Sequence, residues 1–157
     1  MLSLVCNLLL PLLVCRGLEA HYNLGNTLQE LGRSKDAEAS YRKAIALKPD
    51  YAEAHFNLGI TLQKLSRSKD AEASYKKAIA LKPDYAEAHS NLGFTLQEVG
   101  RLEEAEAYFK QALHIKSQLL FEQQMAIRPS LEFLRDLYEN LGDTMRVDFL
   151  DNNLDIL

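Results

Sequence analysis

Apolar residues recur along this chain with the spacing of one helical face, and the whole pattern restarts every 34 residues. In the stretch 51–84, the apolar positions of the first half are Ala54, Leu58, Leu62 and Leu65. This spacing places them on one side of a helix. The pattern breaks at 66–68, resumes over 69–81 and stops at Pro83, because proline disfavours helix at the residue before it. The stretch therefore predicts two amphipathic helices joined by a short turn.

This two-helix unit occurs three times. The sequence YAEAH begins at Tyr51 and again at Tyr85, and three Leu-Gly pairs keep the same step: Leu24-Gly25, Leu58-Gly59 and Leu92-Gly93. A fixed period of this length is typical of stacked helix–turn–helix units. One unit cannot bury its apolar faces alone, so its neighbours supply the missing surface. We therefore expect an all-α stack.

The recurring glycine indicates close packing within each unit. Glycine inside a helix costs about 1 kcal/mol relative to alanine, so its presence in all three units needs a packing reason. Small and aromatic residues stand opposite it at a constant register: Ala37, Ala71 and Ala105, followed by Tyr41, Tyr75 and Phe109.

These positions resemble the tetratricopeptide repeat (TPR). The matching residues of the middle unit are Leu58-Gly59, Ala71, Tyr75, Ala78 and Pro83. The third unit has Ser117 where the proline is expected, and histidine replaces the usual tryptophan in each unit: His21, His55 and His89. The resemblance implies a right-handed α-solenoid with repeats at 18–50, 51–84 and 85–117, whose first helices line the concave surface.

The apolar segment 1–17 has no place in the repeat register. It is too short to span a bilayer, which needs about 20 residues, and Pro11 is expected to interrupt any long helix there. Three interpretations fit: a secretory signal, a helix that covers the open end of the first repeat, or a truncation artefact. The first would make the protein secreted or periplasmic, and the others would leave it cytoplasmic.

Residues 118–157 predict a degenerate fourth pair that caps the stack. Without the proline, the last helix of the third repeat is expected to run on to about Ala126, and Pro129 is expected to start a new helix. The second helix of this pair would occupy Thr144 to Leu157. Terminal units of such arrays are often atypical.

Composition argues against several function classes. The net charge is −4, and no face is basic enough to indicate nucleic-acid binding. The chain contains no phosphate-binding loop, no GxSxG, no HExxH and no CxxC motif, so neither catalysis nor a cofactor is predicted. The three repeated histidines are expected to pack between helices, because repeats about 8–10 Å apart cannot share a metal ion. The Glu-Lys/Arg pairs within the second helices are expected to lie on a solvated face: Glu38/Arg42, Glu72/Lys76 and Glu106/Lys110.

An asparagine precedes each Leu-Gly pair, at Asn23, Asn57 and Asn91. A carboxamide both donates and accepts, so three of them could hold an extended peptide backbone. The resemblance strengthens this hypothesis, since the TPR region of O-linked N-acetylglucosamine transferase has an asparagine ladder at this register. The alternative is that these amides bond neighbouring helices or water.

Side-chain recognition is predicted at positions that vary between the repeats. The candidate contacts for a partner are Tyr22, Phe56, Ile60, Lys64 and Phe94. The alternative for the apolar ones is packing against the neighbouring helix. The other variable positions of this surface are Asn26, Gln29, Glu30, Gln63, Ser90, Gln97 and Glu98.

The sequence thus predicts a non-enzymatic scaffold that binds an extended peptide or short helix of another protein. Two alternatives remain. One is the substrate-presenting arm of a separate glycosyl-, sulfo- or methyltransferase. The other is a self-assembling structural module.

Overall fold

The computed structural model describes the backbone of residues 2–140, 142 and 144–148, with side chains described mainly between residues 16 and 123. The helices are α1 (Leu2–Glu30), α2 (Ser34–Leu47), α3 (Ala52–Lys64), α4 (Ser68–Leu81), α5 (Ala86–Glu98) and α6 (Leu102–Asn140). Residues 144–148 are also helical, and the described part of the chain contains no strand. The all-α prediction is confirmed. The chain forms two compact units, Met1–Leu113 and His114–Leu157.

Successive helices form hairpins that stack side by side. α1 packs on α2 and α3 packs on α4 within the hairpins, while the α2–α3 and α4–α5 contacts join one hairpin to the next. Each hairpin turns through one residue with positive φ: Gly32 (72°), Ser66 (58°) and Gly100 (79°). The first two hairpins have nearly the same second helix, since α2 and α4 differ only at Arg42 and Lys76.

An interlock of glycine and an aromatic ring holds each hairpin together. A Cβ atom added at Gly25, Gly59 or Gly93 would lie 2.5, 2.6 or 2.8 Å from the nearest ring carbon of Tyr41, Tyr75 or Phe109, respectively. Tyr41 and Tyr75 are completely buried, as are Ala37 and Ala71 beside them. The packing role predicted for the glycines is therefore confirmed.

The glutamates of α2 and α4 lie between repeats, and the prediction of a solvated face is wrong for them. Glu38 accepts from Arg42 on its own helix and from Arg67 of the next repeat, both at 2.7 Å. Glu72 pairs in the same way with Lys76 at 2.7 Å and with Arg101 at 2.9 Å. Each arginine lies in the turn of the following hairpin, 29 residues after its glutamate. The predicted pairing within one helix therefore identified only one of the two cations that each glutamate contacts. Glu106 alone follows the prediction, since it is exposed and pairs with Lys110 on its own helix.

We expect the Glu72 contact to make stability depend on acid. Lys76, and then Arg101, hold the pKa of the Glu72 carboxyl below its usual value. Because the folded pKa is the lower one, the stabilisation is present above the unfolded carboxyl pKa of about 4.3 and is lost as pH falls through the folded value. Urea unfolding at pH 7 and pH 3.5 should show a smaller pH-dependent loss for Glu72→Gln than for the wild type. Glu103→Gln, an exposed position on α6, is the control and should keep the wild-type slope.

Both expected proline interruptions are wrong. α1 runs through Pro11, and α6 runs through Pro129 to Asn140. Proline has a helical φ, and inside a helix it removes one donor and crowds one carbonyl. Between Leu113 and Pro129 the sequence has neither Gly nor Asn to provide a turn, so the helix continues. Within the described residues, no helix is long and apolar enough to cross a membrane.

The degenerate C-terminal pair is present, with its first helix fused into α6. Its turn has Gly142 at φ 71°, and the Gly142 N–H donates to the Glu139 carbonyl at 3.0 Å. Gly32 and Gly100 make the same bond, to Gln29 and Gln97. The second helix is seen at 144–148, and the rest of the predicted span lies outside the described residues.

Candidate functional site

The first helices of the hairpins line the inner side of the stack. The backbones of α1 and α3 lie close together, as do those of α3 and α5, whereas the backbones of α2 and α4 lie further apart. The first helices therefore approach one another more closely than the second helices do, and in a curved stack that side is the concave one. The candidate site residues, all on first helices, are thus placed on elements that face this side.

A polar groove of about 370 Å³ lies between the first two hairpins. Its lining consists of Asn26, Gln29, Glu30, Tyr41, Asn57 and Lys64. Of the candidate contacts predicted from the sequence, the groove brings together Asn57 and Lys64. The lining also has one exposed anion, Glu30, and one exposed cation, Lys64. Such a lining suits a ligand with backbone amides and charge, and offers little to an apolar one.

Hydrogen bonds within the first hairpin and between the first two hairpins involve the amides of this groove. Asn57 Nδ2 donates to the Tyr22 hydroxyl at 3.1 Å and to Asn26 Oδ1 at 3.0 Å. The Tyr41 hydroxyl has a single proton to donate and lies 2.8 Å from Asn26 Oδ1 and 3.0 Å from Gln29 Oε1, which are its two possible acceptors. Burial, with smaller contributions from Tyr22 and Glu30, raises the pKa of Tyr41, so its hydroxyl stays a donor. These bonds connect the amides of the groove to one another and link the first hairpin to the second.

The three asparagines have different surroundings. Asn23 is exposed, and Asn57 and Asn91 are half-buried. Burial raises the pKa of the Tyr75 hydroxyl, and the nearby Asn91 amide opposes part of this rise. Asn57 thus makes the bonds between neighbouring helices that the alternative describes. Among the described residues, the hydrogen bonds of its side chain all use Nδ2, so Oδ1 is the atom that can accept from a ligand.

Two family models of the tetratricopeptide repeat match the sequence, one over residues 18–84 and the other over residues 62–124. The chain belongs to the tetratricopeptide repeat family. Its TPR hairpins form the right-handed α-solenoid that the resemblance implied. No curated protein matches the sequence.

Solved TPR structures have the same fold. A crystal structure of MamA is 30% identical, with a TM-score of 0.64 over 66% of this chain and 60% of that one. A second MamA crystal structure is 31% identical, with a TM-score of 0.61 over 64% and 55%. The chain therefore spans less than two thirds of these MamA chains. The second TPR of Spaghetti (RPAP3), bound to the HSP90 peptide SRMEEVD, is 24% identical with a TM-score of 0.61 over 62% and 91%, and shows the fold alone.

The apolar candidate residues divide into packed and exposed ones. Tyr22 stacks near the rings of Tyr41 and Tyr51, with centroids 6.1 and 4.9 Å away. Phe56 occupies the same place one TPR later, 5.9 Å from Tyr75 and 4.7 Å from Tyr85.

Ile60 is half-buried against the same core. Phe94 is 53% exposed and meets the Phe109 ring edge-on at 4.9 Å. Of this set, Phe94 therefore has the largest free surface for a partner.

Two of the repeated histidines, on α3 and α5, contact the loop that precedes their helix. His55 Nε2 lies 3.0 Å from the Pro49 carbonyl oxygen, and His89 Nε2 lies 3.0 Å from that of Pro83. Over the residues that the structure describes, no group of His, Cys, Asp or Glu is arranged to hold a metal ion.

Sequence reasoning missed the part played by Tyr41 and Thr61. Thr61 Oγ1 lies 2.8 Å from the Asn57 carbonyl oxygen on its own helix and 3.2 Å from Gln29 Oε1 of the first TPR. Gln29 Oε1 is also within 3.0 Å of the Tyr41 hydroxyl. Both residues recur at the 34-residue step, as Thr27/Thr61/Thr95 and Tyr41/Tyr75/Phe109. That recurrence was a usable signal, but their polar atoms were overlooked because the register placed them in the core.

Proposed function

We propose that this TPR protein is a non-enzymatic interaction module that binds an extended peptide of another protein in its concave groove. The observation that carries the proposal is the polar groove between the first two hairpins, whose amides are already held by inter-helix hydrogen bonds. An extended peptide has one donor and one acceptor on each residue's backbone, which matches a lining of carboxamides. Preorganised partners lose little freedom on binding, so the bonds contribute more fully to affinity.

Charge selects among peptides in this proposal. Lys64 is exposed at one side of the groove and favours an acidic side chain of the peptide, while Glu30 disfavours a second one nearby. Phe94, further along the concave side, offers an exposed ring to an apolar residue. The second TPR of Spaghetti (RPAP3) is bound to the HSP90 peptide SRMEEVD, and that example supports the proposal that this fold can hold a peptide of another protein.

If the repeated asparagines hold the peptide backbone, a double variant of Asn57 and Asn91 should lose binding. Asn57→Ala combined with Asn91→Ala removes two amides, each able to make a backbone hydrogen bond of about 0.5–1.5 kcal/mol, so we expect affinity to fall by roughly 10-fold. The probes are fluorescein-labelled heptapeptides, with SRMEEVD and a positional library among them, and fluorescence anisotropy gives Kd for the tightest binder.

The matched control is Gln111→Ala with Gln118→Ala, which removes two exposed carboxamides from α6. It should bind as tightly as the wild type. Far-UV circular dichroism of both variants checks that helicity is retained. Equal affinity of the asparagine variant and the wild type would remove the ladder from the proposal, and the absence of binding by any library peptide would remove the groove.

A further inference from the structure

The chain contains the same inter-repeat interface twice. At each joint, the first helix and turn of one TPR cover the second helix of the TPR before it, and an arginine of the turn pairs with a buried glutamate. The pairs are Arg67–Glu38 and Arg101–Glu72, at 2.7 and 2.9 Å. The glutamate side chains are only 10% and 17% exposed. The residues at the two ends of the array can be compared with their equivalents in these two internal joints.

The C-terminal end of the array has the acceptor half of this interface without an occupant among the described residues. A largely apolar groove of about 400 Å³ lies there, and Leu102, Glu106, Phe109 and Leu113 contribute to its lining. These positions correspond, one TPR later, to Ser68, Glu72, Tyr75 and Ile79. Glu106 is 65% exposed, in contrast to its two equivalents. Leu102 and Leu113 are also exposed.

The N-terminal end of the array has the covering half of this interface, which consists of a first helix and the arginine of its turn. Leu24 of α1 is 48% exposed, whereas its equivalents Leu58 and Leu92 are 7% and 0% exposed. Thr27 is exposed, while Thr61 and Thr95 are fully buried at the joints. The arginine of the first turn, Arg33, is 62% exposed and pairs with Asp36 in its own turn, as Arg67 and Arg101 also pair with acids in theirs.

We propose that these two ends bind each other in different copies, so that the chain stacks head to tail through a third copy of its own internal interface. Arg33 of one copy would pair with Glu106 of the next, 73 positions apart in the chain but at the same register as the two internal pairs. Leu24 would lie over Phe109 and Leu113. This proposal goes beyond peptide binding, because it uses the ends of the stack and leaves the groove between the first two hairpins open.

Charge and shape together favour a second copy as the occupant. Both halves of the interface are on this chain, with opposite charges at the matching positions and apolar surface around each. The contact is heterologous, since different surfaces meet, so it can repeat and extend the solenoid instead of closing a two-fold dimer.

Sedimentation velocity of the full chain from about 1 to 200 µM tests the proposal. We expect the weight-average sedimentation coefficient to rise with concentration. Glu106→Arg and Arg33→Glu should each raise the midpoint concentration for association at least 10-fold, because each sets like charges against one another at the joint. An equimolar mixture of the two variants should regain association, because both contacts between unlike copies bring opposite charges together: the two changed ends face each other at one joint and the two unchanged ends at the other.

Glu103→Arg and Lys35→Glu are the controls, because they make the same charge changes at exposed neighbouring positions. They should associate like the wild type. Glu106→Gln, which is the milder change, serves if Glu106→Arg loses helicity, and should weaken association to a smaller extent. A chain that remains monomeric at all concentrations would overturn the proposal. So would association that Glu106→Arg leaves unchanged, or a mixture that stays monomeric. Asn57→Ala with Asn91→Ala should associate normally, so that failure of peptide binding and failure of stacking are distinguishable.

Discussion

Replacing Tyr75 by alanine should lower the free energy of unfolding by about 3–5 kcal/mol, the range for removing a large buried aromatic ring. Tyr75 is completely buried, its ring lies against Gly59 and Phe56, and its hydroxyl donates to Gln63 Oε1 at 3.1 Å. The cavity would open between α3 and α4 in the middle hairpin, which both neighbouring repeats depend on. With a total stability of about 5–15 kcal/mol for a typical domain, the loss should be evident in urea unfolding followed by circular dichroism.

Tyr75→Phe separates the ring from the hydroxyl. Phe109 stands at the same position in the third repeat, against Gly93, so the chain itself shows that phenylalanine fits. We expect a loss of about 1 kcal/mol for the hydrogen bond with Gln63. If Tyr75→Ala and Tyr75→Phe unfolded at the same urea concentration, the ring would not be the element that holds the hairpin together.

Gly59→Ala should destabilise the fold by about 1–3 kcal/mol, although alanine favours helix over glycine by about 1 kcal/mol. The new Cβ would lie 2.6, 2.7 and 3.0 Å from three ring carbons of Tyr75. Because that ring is fully buried, it has no free space to move into, and the two helices must separate. Thermal and urea unfolding both report this change.

The same substitution should reverse its sign when the ring is absent. In a Tyr75→Ala background the new methyl group meets no ring, so only the helix preference of alanine remains and Gly59→Ala should stabilise. A double-mutant cycle measures this coupling. Additive effects of the two changes would contradict the interlock, and the equivalent pair Gly25 and Tyr41 offers an independent repetition in the first hairpin.

The repeated part of the fold could be predicted because the same residue types occur at equivalent positions in three consecutive repeats. The step from Leu24 to Leu58 to Leu92 fixes the register, and Gly59 at a constant distance from Tyr75 reveals a close contact. What the sequence did not reveal was the course of α1 and α6. Proline inside a helix costs about 3 kcal/mol or more, but the stretch just before Pro129 has neither Gly nor Asn to form a turn, and α6 continues through it.

The candidate site could be predicted less well than the fold. Periodicity indicates which helices face the concave side, and it led to Asn57 and Lys64. It says little about whether a side chain there is already bonded, because Asn57 finds its partners Tyr22 and Asn26 in a different repeat. The ion pair between Arg67 and Glu38 was missed for the same reason, although the 29-residue offset recurs at Arg101 and Glu72 and is visible once the repeats are superposed.

The near identity of α2 and α4 has a consequence for how the chain reaches its native state. Since the two surfaces are almost interchangeable, we expect a folding chain to dock α1 on α4 in some molecules, with the intervening hairpin looped out. Such mispairing would advance in steps of one whole repeat. Each misassembled form keeps most native contacts locally, and it must come apart before the chain can continue. We accordingly expect slow refolding phases to come from such skipped-repeat species, more than from errors within any single hairpin.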